Sequence, residues 1–186
     1  MSVTGNLTAI LAELTANQRH VDDAQASALV DAVEAARHIF VAGAGRSGIA
    51  IGGFANRLMH LGVSVSVVGE ITSPHSAPGD LLIIGSGSGE TGSLVALARR
   101  AHAAGVTVAL VTTDPASTIG RLATVTVVLP GVSPKLATTA AITSVQPMGS
   151  AFEQLAFLTY DAIVLELMAR RSETSESMFG RHADFE

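Results

Sequence analysis

Four apolar residues, Leu81-Leu82-Ile83-Ile84, run unbroken into Gly85-Ser86-Gly87-Ser88-Gly89-Glu90-Thr91, and a helical pattern begins at Ser93. Such a run suits a central parallel strand covered on both faces. The glycines allow a tight turn and bring backbone N–H groups close to a ligand. Ser86, Ser88 and Thr91 add hydroxyls, and the following helix turns its positive end to the same place. These are the makings of a phosphate cradle. The Gly-Lys-Ser/Thr ending of a nucleotide P-loop is missing, which argues against a triphosphate with magnesium. A Ser/Gly-rich connector that merely caps a helix would use the same residues.

The rest of the chain repeats the alternation. Strands are expected at 39–42, 63–68, 106–111 and 125–129, besides 81–84. The alternating pattern of 63–68 places it nearer a sheet edge. Helices are expected at about 7–15 and 22–37, from the glycine-rich turn 43–48 to Leu61 with Gly62 as its C-cap, and from Ser93 to near Ala104. A short helical turn is expected at 118–122. The last helix, 150–171, is apolar nearly all round, which predicts burial, in part between subunits. Residues 72–79 and 131–144 read as loops, and 172–186 as a polar tail. The fold class is therefore α/β, with a five-stranded parallel sheet flanked by helices in three layers and joined by right-handed crossovers. The expected division is a helical arm at 1–37, a central domain at 38–171 and a tail at 172–186 that completes a site or interface.

Composition removes several classes of function. A net charge of −5 argues against a nucleic-acid surface. With no cysteine, disulfides, thiolate catalysis and cysteine metal sites are excluded. Lys135 is the single lysine, so any Schiff-base chemistry would have to use it. Acids at Glu153, Asp161 and Glu166 interrupt the apolar stretches, and no leader pattern precedes residue 18. The expectation is a cytoplasmic protein that does not enter a membrane.

Two further features bear on chemistry. Gly43-x-Gly45-x-x-Gly48 lies between a strand and a helix, as in a dinucleotide fold, and Glu70 stands about where an acid would meet a ribose. The match is short, however, and the second anion-suited turn at 86–91 follows at the same edge of the sheet. Two such turns can enclose one phosphorylated ligand at a switch in strand order. Glu153 falls in the first turn of the long apolar helix. A carboxylate partly withdrawn from water there suits a general base, although first-turn glutamates commonly just complement the dipole. Among the histidines, His38 and His102 read as structural or solvated, His20 lies in the N-terminal arm, His75 is in a loop that could face a site, and His60 ends a helix. His182 stands in a polar tail that is either disordered or docked. Arg57 is placed to pair an acid or a substrate oxygen, or to make a surface or interface ion pair. No histidine spacing resembles a metal site.

Val41-Ala42-Gly43-Ala44-Gly45-Arg46-Ser47-Gly48 and Ser86-Gly87-Ser88-Gly89-Glu90-Thr91 resemble the two signature turns of the sugar isomerase (SIS) domain family. Arg57-Leu58-Met59-His60-Leu61-Gly62, Gly79-Asp80-Leu81-Leu82-Ile83, Met148-Gly149-Ser150-x-Phe152-Glu153-Gln154 and Arg181-His182-Ala183-x-x-Glu186 are similar to motifs of its 6-phospho-3-hexuloisomerase branch. Asp184-Phe185 stands where that branch is expected to have Asn-Leu. The resemblance implies a single SIS domain that isomerises a sugar phosphate: D-arabino-hex-3-ulose 6-phosphate to D-fructose 6-phosphate, in the ribulose monophosphate route of formaldehyde fixation. An arabinose 5-phosphate isomerase or a non-catalytic sugar-phosphate sensor is the alternative. The resemblance puts Ser47 and Ser86, Gly87, Ser88, Gly89, Glu90 and Thr91 on the substrate. It puts Glu153 at the proton-transfer position; moving a proton between the sugar oxygens also needs an acid, for which His182, and after it His60, is the candidate. It implies no metal or organic cofactor, and a homotetramer whose sites are completed by a neighbouring subunit.

Overall fold

A computed structural model describes residues 2–132 and 144–184. Two helices, α1 (Val3–Gln18) and α2 (Asp23–Ala35), precede β1 (Ile39–Gly43), α3 (Gly45–His60) and β2 (Val65–Val67). Then come β3 (Leu81–Gly85), α4 (Gly92–Ala103), β4 (Thr107–Thr112), β5 (Val125–Val128), α5 (Ser150–Arg171) and α6 (Ser175–Phe179). The five strands form one parallel sheet in the order β2-β1-β3-β4-β5. The expected edge position of β2 and central position of β3 both hold.

Period-two alternation sorts the strand residues into two cores. Ile39, Val41, Leu81, Ile83, Ala109 and Val111 meet Ile51, Phe54, Leu155 and Ile163, on the face carrying α2, α3 and α5. Phe40, Ala42, Leu82, Ile84, Val108 and Leu110 meet Leu94, Ala98 and Ala101 of α4 on the other. Both faces are covered, which is why these strands are apolar at nearly every position. Gln25 of α2 accepts a hydrogen bond from the Val128 N–H at 2.8 Å and so occupies part of the β5 edge. Arg170 pairs with Asp31 at 2.6 Å, and Arg171 with Glu34 at 2.6 Å, joining α5 to α2.

Two local expectations change. The segment 117–123 forms consecutive turns, with Arg121 N–H on the Ser117 carbonyl and Leu122 N–H on that of Ile119, and no helix. The tail contains α6, opened by a capping box between Thr174 and Ser177. On α5, Phe152, Leu155, Tyr160, Ile163 and Leu167 are buried, while Phe157, Leu158 and Leu165 point outward from the single chain. Most of the expected loop 131–144, with Lys135, lies outside the described residues, as does Glu186. Among the described residues no helix is long and apolar enough to cross a membrane.

Candidate active site

The strand order reverses between β1 and β3, because the chain goes from β1 out to β2 and returns on β1's other side. At such a switch the connections leave in opposite directions and open a crevice at the carboxyl ends of the strands. Gly43 and Gly85 are register partners, so both glycine-rich turns start side by side at that crevice.

A cleft of about 360 Å³ lies there. One wall is the start of α3, with Gly45 and Ser47; another is Gly85 to Ser88 with Thr91; the third is the entry to α5, with Met148, Gly149, Phe152 and Glu153. Phe152 is buried, and its ring stands so close to Gly87 that an added Cβ there would meet it at 3.2 Å. That contact packs the start of α5 against the β3–α4 turn and sets Glu153 beside it.

Ser86 and Ser88 are both buried. Ser86 Oγ accepts from the Gly89 N–H, and Ser88 Oγ from the Glu90 N–H, each at 3.2 Å. A hydroxyl used as acceptor keeps its own proton to donate. Thr91 is the N-cap of α4 but makes no side-chain cap bond, so its hydroxyl is also free to face the cleft. The N-termini of α3 and α4 add unpaired N–H groups and positive dipole ends. The cleft is thus rich in donors and fitted to an anion.

Glu153 is mostly withdrawn from solvent, its side chain 19% exposed, and its Oε2 accepts from Arg46 Nε at 2.5 Å. Arg46 is 61% exposed and reaches over from the first turn of α3. One carboxylate and one guanidinium therefore meet at the mouth of a donor-lined cleft. In the sequence Arg46 is only one member of the 43–48 turn, and the ion pair of its side chain is a finding of the structure.

Ser47, Ser86, Gly87, Ser88, Thr91 and Glu153 are thus brought together, whereas Gly89, Glu90 and His182 do not line the cleft. Gly89 has φ +60°, and an added Cβ would collide with Ser117. The Glu90 carboxylate turns away to accept the Thr118 N–H at 2.5 Å. That hydrogen bond, aided by Arg121 and Arg99, holds the carboxyl below its usual range. His182 stacks on His60, ring centroids 5.2 Å apart, at the far end of α3. Arg57 accompanies them, its Nη1 3.4 Å from His60 Nδ1. His75 is exposed, and His38 is held by Ser64 and Ser66. The fingerprint glycines Gly43 and Gly48 pack against one another: a Cβ on Gly43 would stand 2.8 Å from the Gly48 Cα. Sequence reasoning missed Thr112 and Thr113, which grip the Gly87 carbonyl from behind. Their one visible signal is a pair of hydroxyls at the carboxyl end of a strand beside β3.

A family model described as the SIS domain matches residues 33–158. A Bacillus subtilis protein named 3-hexulose-6-phosphate isomerase is 44% identical over 186 residues, covering 100% of both chains. A Mycobacterium gastri protein of the same name is 36% identical over 184 residues, 99% of this chain and 92% of that one. A Methanococcus jannaschii crystal structure, described as inferring a 3-hexulose-6-phosphate isomerase function, superposes with TM-score 0.84 at 28% identity, covering 98% and 99% of the two chains. Two glycine-rich turns at the switch point, a family match across the sheet and relatives matched over nearly their whole length agree: this chain belongs to the SIS domain family.

Proposed function

We propose that the protein is an isomerase interconverting D-arabino-hex-3-ulose 6-phosphate and D-fructose 6-phosphate, a reading supported by relatives named 3-hexulose-6-phosphate isomerase. The observation that carries the reading is one carboxylate, Glu153, set on the rim of a cleft whose polar lining is hydroxyl and N–H donors. Such a cleft suits a phosphorylated ligand, and a lone, partly withdrawn carboxylate suits a general base.

The phosphate dianion sits in the turn 86–91, held by the hydroxyls of Ser86, Ser88 and Thr91 and by backbone N–H groups, with Ser47 on the sugar. Glu153 removes the proton from C2 of the 3-ketose. The C2–H electron pair becomes the C2–C3 double bond, and the carbonyl electrons move to O3, giving an enediolate. O3 is protonated, O2 loses its proton, and reprotonation at C3 leaves the carbonyl at C2. Negative charge grows on O3 and then O2, so fixed positive charge nearby lowers the barrier. The Arg46 guanidinium is the cation on hand once it releases Glu153. His182, from a neighbouring subunit of a homotetramer, is the acid for the oxygens. Outward-facing Leu7 and Leu11 of α1, with Leu158 and Leu165 of α5, support an assembly, since a lone chain rarely leaves so much apolar surface in water. The arm 1–37 and the tail 172–186 are then parts of that assembly.

The test is a coupled assay in which hexulose 6-phosphate is generated from formaldehyde and ribulose 5-phosphate, and fructose 6-phosphate is read as glucose 6-phosphate. Wild type should turn over. Glu153→Gln should lose about 100- to 10,000-fold in kcat, the usual worth of a positioned base, while still binding fructose 6-phosphate. Wild-type turnover in the variant would remove Glu153 from the chemistry.

A further inference from the structure

The carbonyl of Gly87 receives three donors from one neighbouring segment. Thr113 Oγ1 lies at 2.7 Å, Thr113 N at 3.0 Å and Thr112 Oγ1 at 3.1 Å. A carbonyl oxygen has two lone pairs, so three donors hold its direction firmly. Two residues on, the Gly89 carbonyl accepts the Ile119 N–H at 3.2 Å, and the Glu90 carboxylate accepts the Thr118 N–H. These three acceptors are therefore drawn toward the end of β4 and the β4–β5 connection, while the Ser86 carbonyl accepts within the turn.

The consequence follows from peptide geometry. A trans peptide is planar, with its C=O and N–H pointing in opposite directions. If the Gly87 carbonyl points to β4, the Ser88 N–H points away from it. In the order β2-β1-β3-β4-β5, away from β4 is toward β1 and its turn, which is where the cleft lies. The Ser88 N–H has no acceptor among the described residues, while the N–H groups of Gly89 and Glu90 are engaged within the turn.

We propose that Thr113, with Thr112 beside it, is a positioning residue that aims the Ser88 N–H into the cleft as a donor to the substrate's phosphate. This rests on the cradle reading above. Neither threonine touches substrate. They act by fixing one peptide plane, so that the donor meets the anion without reorganising first. The loss should accordingly fall on binding, since the phosphate is remote from the reacting carbons and is held alike in ground and transition states.

Thr113→Val removes the hydroxyl and keeps the shape and the backbone N–H. It should weaken fructose 6-phosphate and inorganic phosphate by about three- to tenfold, the usual span for one hydrogen bond. KM should rise by the same factor with kcat within about twofold, and Thr113→Ser should restore both. Phosphate affinity in Thr113→Val equal to that of a binding wild type overturns the inference and leaves the cradle standing. A fall in kcat and melting temperature with affinity intact, unrescued by serine, also overturns it, because that describes a structural prop. Failure of the wild type itself to bind either anion overturns both readings together. Should the valine variant not fold, the wild type still decides. The Ser88 amide proton should move downfield on titration of the labelled protein with inorganic phosphate, and an unmoved amide at saturation overturns the proposal.

Discussion

Tyr160 lies two turns beyond Glu153 on α5, wholly buried, with its ring stacked on Phe54 at 4.9 Å. Its hydroxyl has no hydrogen-bond partner among the described residues, and it stands 3.0 Å from where a Cβ on Gly85 would be. Gly85 is glycine because the tyrosine tip needs that space. Burial pushes the Tyr160 hydroxyl well above its ordinary value, since the phenolate would be stranded without water. The sign of the linkage is then fixed. Below the unfolded pKa, near 10, both states hold the proton and stability is unaffected; above it the unfolded chain releases the proton while the folded chain keeps it. Stability should therefore fall by about 1.4 kcal/mol per pH unit above about pH 10 from this residue alone. Tyr160 is the single tyrosine and the chain has no tryptophan, so the near-ultraviolet tyrosinate signal reads this residue directly. It should appear together with unfolding; a signal that titrates in the folded protein near the ordinary value would show an accessible hydroxyl. Residue by residue, Glu153, Ser47, Ser86 and Ser88 were legible in sequence because the site draws them from the first turns after strands and of a helix. Tyr160, Arg46 and Thr113 were not, since each acts through a partner far along the chain.

At the level of elements, the start of α3 depends on glycines that do different work. A Cβ on Gly43 would meet the Gly48 Cα at 2.8 Å and N at 2.9 Å, and one on Gly48 would meet the Gly43 oxygen at 3.0 Å. Those neighbours are backbone and cannot yield without moving the helix from the strand. Gly45 has φ +57° but open space around its Cβ position. Gly43→Ala should therefore cost about 1–3 kcal/mol as overpacking and displace the donors of α3 from the cleft. Gly45→Ala should cost about 1–2 kcal/mol, the ordinary penalty of a left-handed alanine. Denaturant midpoints and fructose 6-phosphate affinity check the pair: Gly43→Ala should lose stability and affinity together, and an unchanged midpoint in Gly43→Ala would contradict the close packing. Elements with strong periodicity, such as β3 and α5, were readable almost to the residue, because one buried face dictates the pattern. The turns at 117–123 and helix α6 were not. Both are held by capping and crosswise hydrogen bonds, such as Ile119 to Gly89 and Ser177 to Thr174, which carry no period. On α5 the face that meets the core could not be told from the outward Phe157, Leu158 and Leu165, since an apolar residue reads the same in sequence whichever surface it faces.

The whole molecule sets its two groups of chemically suggestive residues at opposite ends of α3. That helix has 16 residues, so about 23 Å separates the cleft at Gly45 from the cluster at His60. The tail is docked at the far end: Arg181 forks onto Glu173 at 2.8 and 3.0 Å and donates to the His60 carbonyl at 2.8 Å, which seats the His182 ring against His60. A docked histidine at that distance cannot protonate an oxygen beside Glu153 of its own chain. If His182 serves the reaction, it serves the cleft of another copy, and the proposed tetramer becomes a catalytic requirement. Subunit mixing separates the cases. Glu153→Gln and His182→Ala should each be impaired alone. When the two are co-assembled in equal amounts, about a quarter of the sites should carry an intact glutamate from one chain and an intact histidine from another, and activity should return to that extent. Were both groups drawn from the same chain, every site would hold one lesion and mixing would restore nothing. Full activity of His182→Ala alone would remove the histidine from the mechanism and leave its stack on His60 as the anchor of the tail.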